Sequence, residues 1–230
     1  MDGGMDRPFV YVNMAMSADG KITSFRREEP RFTSKQDKKT MDKLRAEADA
    51  LLIGAGTLRH DDPRQEVRDP EMKAYRRSLG KPDLLLNVLV TASAKVDPRS
   101  KLFDPAKAQG CIVATVEDAP AENLRRLAEV AEIWTLGRGR VDVPLLLSRL
   151  KARGVERLLV EGGGDLNWSF VEHDAVDELY VTVAPTIFGG RDAPTPVEGE
   201  GLTMGSRRPL RLVSAEVKDG EIFCRYAFIR

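Results

Sequence analysis

The sequence predicts an α/β protein with a mixed, mostly parallel sheet, flanking helices and a C-terminal antiparallel hairpin. Short apolar runs alternate with segments of helical period for most of the length, as in strands joined by crossover helices. Near the end, two apolar runs flank Asp219-Gly220, and Asp-Gly is a strong signal for a tight hairpin. No internal repeat or low-complexity stretch divides the 230 residues, so we expect a single domain over residues 1–230.

The predicted strands before the hairpin are apolar runs of a length typical of buried strands. They are Phe9–Met16, Ala50–Ile53, Leu84–Thr91, Cys111–Thr115, Glu132–Leu136, Arg157–Glu161 and Glu178–Val183. The hairpin strands cover residues 210–217 and 222–229.

Helices are predicted between these strands. The first begins near Ser34, because Ser34 followed three residues later by Asp37 resembles a capping box, and an apolar face follows. The others are Ala121–Val130, Val143–Arg153 and Asp165–Glu172. Two segments read as long loops, Arg59–Asp83 and Gly189–Pro209, and such loops in a compact α/β domain are more often functional than idle.

Composition and charge exclude several classes of protein. With 42% hydrophobic and 31% charged residues, the chain has material for a packed core and is not a disordered sequence. The 36 basic and 36 acidic residues balance, which removes the positive field that nucleic-acid binding depends on. We expect neither a membrane span nor a secretory signal, and hence a cytoplasmic protein. Two histidines and no paired-ligand spacing argue against a metal site.

The sharpest motif is the glycine run Gly162–Gly164, which leads from a predicted strand directly into a helix. Three glycines remove every Cβ from this turn, so backbone N–H groups and the positive helix end can approach an anion such as a pyrophosphate. The alternative is a tight turn that needs positive φ. Glu161, just before the run, is a candidate acid at the lip of the turn, or else a carboxylate that accepts loop N–H bonds.

Two weaker features follow the second predicted strand. The turn Gly54–Thr57 places a hydroxyl where it can cap a helix or donate to a phosphate, although neither glycine turn completes a dinucleotide-binding fingerprint or a P-loop. Asp61-Asp62-Pro63 is either an Asx-capped loop or a pair of carboxylates for sugar hydroxyls or a ring. In the second case Arg68 would clamp a phosphate.

Five segments together resemble the riboflavin-pathway pyrimidine reductases. They are NMAMSADGKI at 13–22, IGAGTLRHDDPR at 53–64, EGGGDLNW at 161–168, APTIFGGRDAPT at 184–195 and EGEGL at 198–202. They run in family order from near the start to beyond residue 200, which is far more specific than one glycine turn. The resemblance implies a dihydrofolate reductase-like fold, a homodimer, and NADPH-dependent reduction of a ribosylamino-pyrimidine 5′-phosphate to its ribitylamino form.

The resemblance also implies roles for particular residues. The NADPH site would contain Ala15, Thr57, Asp61, Ser93, Gly163, Gly164, Asp165, Leu166 and Asn167. The substrate would face Arg45, Gln65, Arg68 and Glu161, and the catalytic carboxylates would be Glu161 and Asp61.

Several alternatives stay open at this point. The detail of the motifs is most similar to stand-alone reductases of the 2,5-diamino-pyrimidinone substrate, and the aminouracil substrate is the alternative. A ligand-binding protein with the reductase fold but no chemistry would leave NADPH unoxidised. A dihydrofolate reductase would consume dihydrofolate and be inhibited by antifolates.

Overall fold

The strands form one sheet in a computed structural model that describes residues 6–28 and 32–230. The prediction of no secretory signal includes the first five residues, which lie outside the described ranges. The strands are β1 (Phe9–Ser17), β2 (Ala50–Gly54), β3 (Leu86–Val90), β4 (Gly110–Thr115), β5 (Glu132–Thr135), β6 (Arg157–Val160), β7 (Glu178–Ala184), β8 (Leu210–Lys218) and β9 (Glu221–Phe228).

The sheet has the order β5-β4-β3-β2-β6-β1-β7-β9-β8. The pairs from β5 to β7 are parallel, whereas β9 runs antiparallel to β7 and β8 antiparallel to β9. This confirms the predicted mixed, mostly parallel sheet with a C-terminal antiparallel hairpin. Strands from the first and last parts of the described chain share this sheet.

The central strands are buried on both faces, which explains why they read as continuous apolar runs. In β2, Ala50 and Leu52 face one apolar cluster, which also contains Leu146 and Phe170 from the helices on that side. Leu51 packs into a separate cluster on the opposite face. Burial on both sides fixes the register, because a slip of one residue would exchange the two faces.

The helices are α1 (Lys35–Glu47), α2 (Ala55–Asp61), α3 (Pro70–Ser78), α4 (Ala121–Leu127), α5 (Val143–Ala152) and α6 (Gly164–Glu172). The predicted helices α1, α4, α5 and α6 are confirmed, within a few residues at their ends. None of the helices in the described residues is long and apolar enough to span a membrane.

The prediction of a loop over Arg59–Asp83 is wrong, because α3 and the end of α2 lie within it. Helix α3 begins as the sequence allows: Asp69 is the N-cap and accepts from the N–H groups of Glu71 and Met72, with Pro70 in the first turn. Many of the charged residues in this segment therefore lie on an exposed helix. Arg76 of α3 is fully buried and donates to the carbonyls at the end of α1.

Helix α1 starts at the predicted cap, but the partner of the cap differs from the prediction. The Ser34 hydroxyl accepts from the N–H groups of Gln36 and Asp37, at 3.1 and 3.3 Å. The N–H of Ser34 donates to Glu221 Oε1 of β9 at 2.7 Å, where a capping box would use Asp37. The Asp37 carboxylate is therefore released from the cap.

Candidate active site

A cavity of about 1110 Å³ opens at the carboxyl ends of β1, β2, β3 and β6. This is the edge of a parallel sheet at which α/β proteins commonly bind ligands. Its wall contains most of the residues singled out in the sequence. They are Ala15, Arg45, Thr57, Asp61, Arg68, Ser93, Glu161, Gly163, Gly164, Asp165 and Leu166.

The glycine run requires glycine for more than one reason. Gly162 and Gly163 have φ of +67° and +51°, a region that residues with a Cβ rarely adopt. A Cβ at Gly162 would lie 2.6 Å from Met14 Sδ, and one at Gly164 would lie 2.3 Å from Glu198 Cγ. A Cβ at Gly163 would meet only the Thr57 hydroxyl, at 3.5 Å. Packing therefore accounts for Gly162 and Gly164, whereas Gly163 has open space beside it and lines the cavity.

Helix α6 presents an uncapped N-terminus to this cavity. Gly163 is its N-cap and has no side chain to accept a hydrogen bond. Within the described residues, the N–H groups of Gly164, Asp165 and Leu166 have no acceptor. Backbone donors at the positive end of a helix fit an anionic group such as a phosphate. The arrangement fits the pyrophosphate of a dinucleotide.

Thr57 ties the second glycine turn to the first. Its hydroxyl donates to the carbonyl of Gly162 at 3.1 Å, and the Gly54 N–H donates to the same carbonyl, also at 3.1 Å. The turns that follow β2 and β6 are therefore joined into one wall of the cavity.

Glu161 and Arg45 form an ion pair in the wall of the cavity. Arg45 Nε donates to Glu161 Oε1 at 2.8 Å and Nη2 to Oε2 at 2.6 Å. The exposed fractions of the two side chains are 3% for Arg45 and 12% for Glu161. Burial lowers the pKa of the Arg45 guanidinium, but the charge and hydrogen bonds of Glu161 outweigh it, so this pKa is raised. Nη1 of Arg45 donates to the carbonyls of Arg64 and Glu66.

Arg45 thus holds Glu161 in place, and its remaining donors are largely used by the chain itself. Arg68 is different: it is exposed, lines the cavity, and has no ion-pair partner within the described residues. Of the two cations that we expect near the substrate, Arg68 is the one that has donors to spare for a phosphate.

The two aspartates of the Asp61-Asp62-Pro63 motif fit different interpretations. Asp62 has a φ of 38° and accepts from the Lys101 N–H at 2.9 Å, so its carboxylate stabilises a loop. Asp61 is the last residue of α2 and lies in the cavity wall.

Two predicted site residues lie outside the wall. Gln65 is 2% exposed, and its amide atoms have no partner within the described chain. Asn167 is fully buried, and its side-chain amide donates to the Pro196 carbonyl at 2.7 Å. This hydrogen bond supports the loop around Pro196, which packs on the glycine turn.

The predicted site residues include Arg45 of α1 but not the other side chains of this helix that line the cavity. Asp37 and Met41 line it together with Arg45, at intervals of four residues along one helix face. The spacing was visible in the sequence, but Asp37 was assigned to the cap. Across residues 6–28 and 32–230 there is no group of three or more His, Cys, Asp or Glu side chains placed to hold a metal ion.

Comparisons with known proteins place this geometry in a family. A curated 2,5-diamino-6-ribosylamino-4(3H)-pyrimidinone 5′-phosphate reductase of Archaeoglobus fulgidus is 40% identical over 197 residues, 85% of this chain and 89% of that protein. A pyrimidine reductase-like protein of Corynebacterium diphtheriae has a TM-score of 0.85 at 24% identity, over 97% of this chain and 92% of that chain.

The fold is also shared with a dihydrofolate reductase. The enzyme from Enterococcus faecalis, in a complex with NADP(H), has a TM-score of 0.52 at 13% identity, over 96% of this chain and 97% of that chain. The model of the RibD C-terminal domain family matches residues 8–223. The chain therefore belongs to the RibD C-terminal domain family.

Proposed function

We propose that this protein is the riboflavin-biosynthesis reductase that converts 2,5-diamino-6-ribosylamino-4(3H)-pyrimidinone 5′-phosphate to its ribitylamino form with NADPH. The observation that carries the proposal is one cavity that contains two kinds of binding group. The cavity is lined by the uncapped N-terminus of α6 and by Glu161, which Arg45 holds. It is also lined by Arg68, which has no ion-pair partner within the described residues. Membership of the family and the 40% identity to a reductase of this name support the same assignment.

The glycine wall would hold the cofactor. Gly163, Gly164, Asp165 and Leu166 would bind the pyrophosphate through backbone N–H groups, with Thr57, Ser93 and Ala15 along the same side. Bound nicotinamide would supply the hydride for the reduction.

The part of the wall formed by Glu161, Arg45 and Arg68 would orient the substrate. The ribosylamine ring would open to an imine, C1 of the sugar would accept the hydride, and the nitrogen bonded to C1 would take a proton from a carboxylic acid or water. Glu161 is held in one orientation by two charge-assisted hydrogen bonds from Arg45, so its carboxylate would orient sugar hydroxyls and stabilise positive charge on the imine. Asp61 would approach the sugar from the end of α2.

The test is an assay with both candidate substrates and both nicotinamide cofactors. Loss of absorbance at the nicotinamide band, with the 2,5-diamino substrate and NADPH preferred, is the expected result. Activity on the aminouracil compound alone would favour the alternative substrate. No oxidation of NADPH with either would favour a binding protein that lacks this chemistry.

We also infer a homodimer formed through the C-terminal hairpin. The strand register places Leu210, Leu212, Ala215, Val217 and Ile222 on one side of the hairpin. All five are exposed, and Val217 is 75% exposed. We call this set the apolar hairpin face. A contiguous exposed apolar surface of this kind is typical of an interface, and a second copy would present a matching one.

A further inference from the structure

One face of α1 brings three side chains of different chemistry into the cavity. Asp37, Met41 and Arg45 are spaced by four residues, so they follow one another along the helix. Arg45 is occupied by Glu161, and Met41 supplies apolar surface. Asp37 therefore contributes a carboxylate to which neither the fold nor the proposed sugar chemistry assigns a role.

Asp37 does not serve the helix cap. Glu221 of β9 accepts from both the N–H and the hydroxyl of Ser34, at 2.7 and 2.5 Å. The hydroxyls of Thr33 and Thr182 instead lie near the Asp37 carboxylate. Thr182 of β7 is 2% exposed and lies opposite Ala15 of β1, at the level of the expected nicotinamide cofactor.

The environment of Asp37 favours a ligand that donates hydrogen bonds. Within the described chain, no lysine or arginine forms an ion pair with it. Burial raises its pKa, and the charges of Glu221 on β9 and Glu161 after β6 raise it further, although the two hydroxyls lower it. On its own helix, the charged residues that line the cavity are Lys38 and Arg45. A desolvated carboxylate of this kind is stabilised when a ligand brings N–H donors.

The two candidate bases differ in the edge that they offer. A 2-aminopyrimidin-4(3H)-one presents adjacent donors, N3–H and the 2-amino group, which match the two oxygens of a carboxylate. A uracil presents N3–H between two carbonyl oxygens, so a carboxylate paired with N3–H would face a second acceptor. An ionised carboxylate is acceptor-only, and an unpaired acceptor in a desolvated site weakens binding strongly.

We propose that the Asp37 carboxylate accepts hydrogen bonds from N3–H and the 2-amino group of the base and so selects the diamino-pyrimidinone over the aminouracil substrate. This rests on the proposed reductase function and adds the residue that reads the base. The two substrates differ only in the base, because both carry the same ribosyl phosphate.

The decisive variant is Asp37→Asn, with Asp97→Asn as a matched control, since Asp97 is exposed and lies outside the cavity wall. An asparagine amide offers one acceptor and one donor, the pattern that N3–H and O2 of uracil complement. We expect kcat/KM for the diamino substrate to fall tenfold or more and the ratio between substrates to shift toward aminouracil. The control keeps the ratio of the wild type. An unchanged ratio in folded Asp37→Asn overturns the proposal.

Binding without turnover separates this inference from the proposed function. Calorimetry with 2,5,6-triaminopyrimidin-4-one and 5,6-diaminouracil should show that the wild type prefers the first base and that Asp37→Asn loses this preference. A wild type that reduces neither substrate but shows this pattern refutes the reductase function and keeps the role of Asp37. Equal binding of the two bases to the wild type overturns the role of Asp37.

The wild type offers a further test that needs no variant. Donors from the base favour the charged carboxylate, so affinity for triaminopyrimidin-4-one should decline as the pH falls through the raised pKa of Asp37. The affinity for diaminouracil should decline less over the same range. Parallel pH profiles for the two bases would contradict the proposal.

Discussion

Arg45 and Glu161 meet in a two-pronged ion pair, Nε to Oε1 at 2.8 Å and Nη2 to Oε2 at 2.6 Å, although they lie 116 residues apart. The pair joins α1 to the end of β6, where the glycine run begins. Its planar geometry fixes the orientation of the Glu161 carboxylate as well as its charge. Through this pair, α1 fixes the orientation of Glu161 in the cavity wall.

Replacing Arg45 with lysine should therefore impair the reaction even though the charge is kept. An ammonium cannot make both bonds to Glu161 and also reach the carbonyls of Arg64 and Glu66. Losing one charge-assisted bond, worth about 1.5–3 kcal/mol, should lower kcat/KM for the pyrimidine substrate about tenfold to a hundredfold. Steady-state kinetics measures this, with NADPH affinity unchanged and Lys39→Arg on the same helix as control. Wild-type kinetics in Arg45→Lys would show that the orientation of Glu161 is unimportant.

Gly163→Val tests the cofactor cradle. Valine at a φ of +51° is strained, and its side chain extends toward the Thr57 hydroxyl and the space beside the α6 N-terminus. We expect NADPH to bind at least tenfold more weakly, about 1.4 kcal/mol, in a fluorescence titration. Gly205→Ala is the control, because its φ is not positive and its nearest neighbour is 3.8 Å away. Cofactor titration identical to wild type in folded Gly163→Val would refute the cradle.

The sequence predicts the sheet more completely than the site, and particular residues show why. The β2 run Ala50–Gly54 is buried on both faces, so hydrophobicity alone identifies it. Helix α3 was missed because its exposed surface is charged, although Asp69 and Pro70 mark its start. The burial of Gln65 and the pairing of Arg45 with Glu161 depend on contacts between distant segments. No local pattern in the sequence reports such contacts.

Arg76→Ala should destabilise the fold without any direct effect on the cavity. Arg76 is fully buried and donates to the carbonyls of Arg45, Ala46, Ala48, Pro82 and Leu84. Truncation removes these hydrogen bonds and leaves an internal void, so we expect a loss of about 3 kcal/mol or more in the free energy of unfolding. Urea denaturation measures it. Arg77→Ala, which breaks only an exposed pair with Asp83, should cost less than about 1 kcal/mol.

The proposed homodimer can be tested at the apolar hairpin face. Leu212 is 53% exposed there, and a carboxylate at this position would be buried without a partner in an interface of two copies. We expect sedimentation of the wild type at twice the 25.5 kDa chain mass and of Leu212→Asp at the chain mass. Arg211→Asp, on the opposite side of β8, is the control. A wild type that sediments at 25.5 kDa at micromolar concentration would remove the dimer.

Arg68→Ala tests which phosphate the charged side of the cavity binds. Arg68 lines the cavity beyond the end of α2, and within the described chain it has no ion pair that would compete for its donors. A guanidinium matches a phosphate with two parallel bonds, and one charge-assisted contact is worth about 1.5–3 kcal/mol.

If Arg68 binds the substrate 5′-phosphate, its loss should raise the substrate KM by one to two orders of magnitude and leave NADPH affinity unchanged. If it binds the 2′-phosphate of NADPH instead, the variant keeps its substrate KM and loses its preference for NADPH over NADH. We expect the first result, because Arg45 is held by Glu161, whereas Arg68 has no ion-pair partner within the described residues. A folded variant in which neither parameter changes would make Arg68 an ordinary surface charge, and Arg64, which also lines the cavity, would then be the residue to replace.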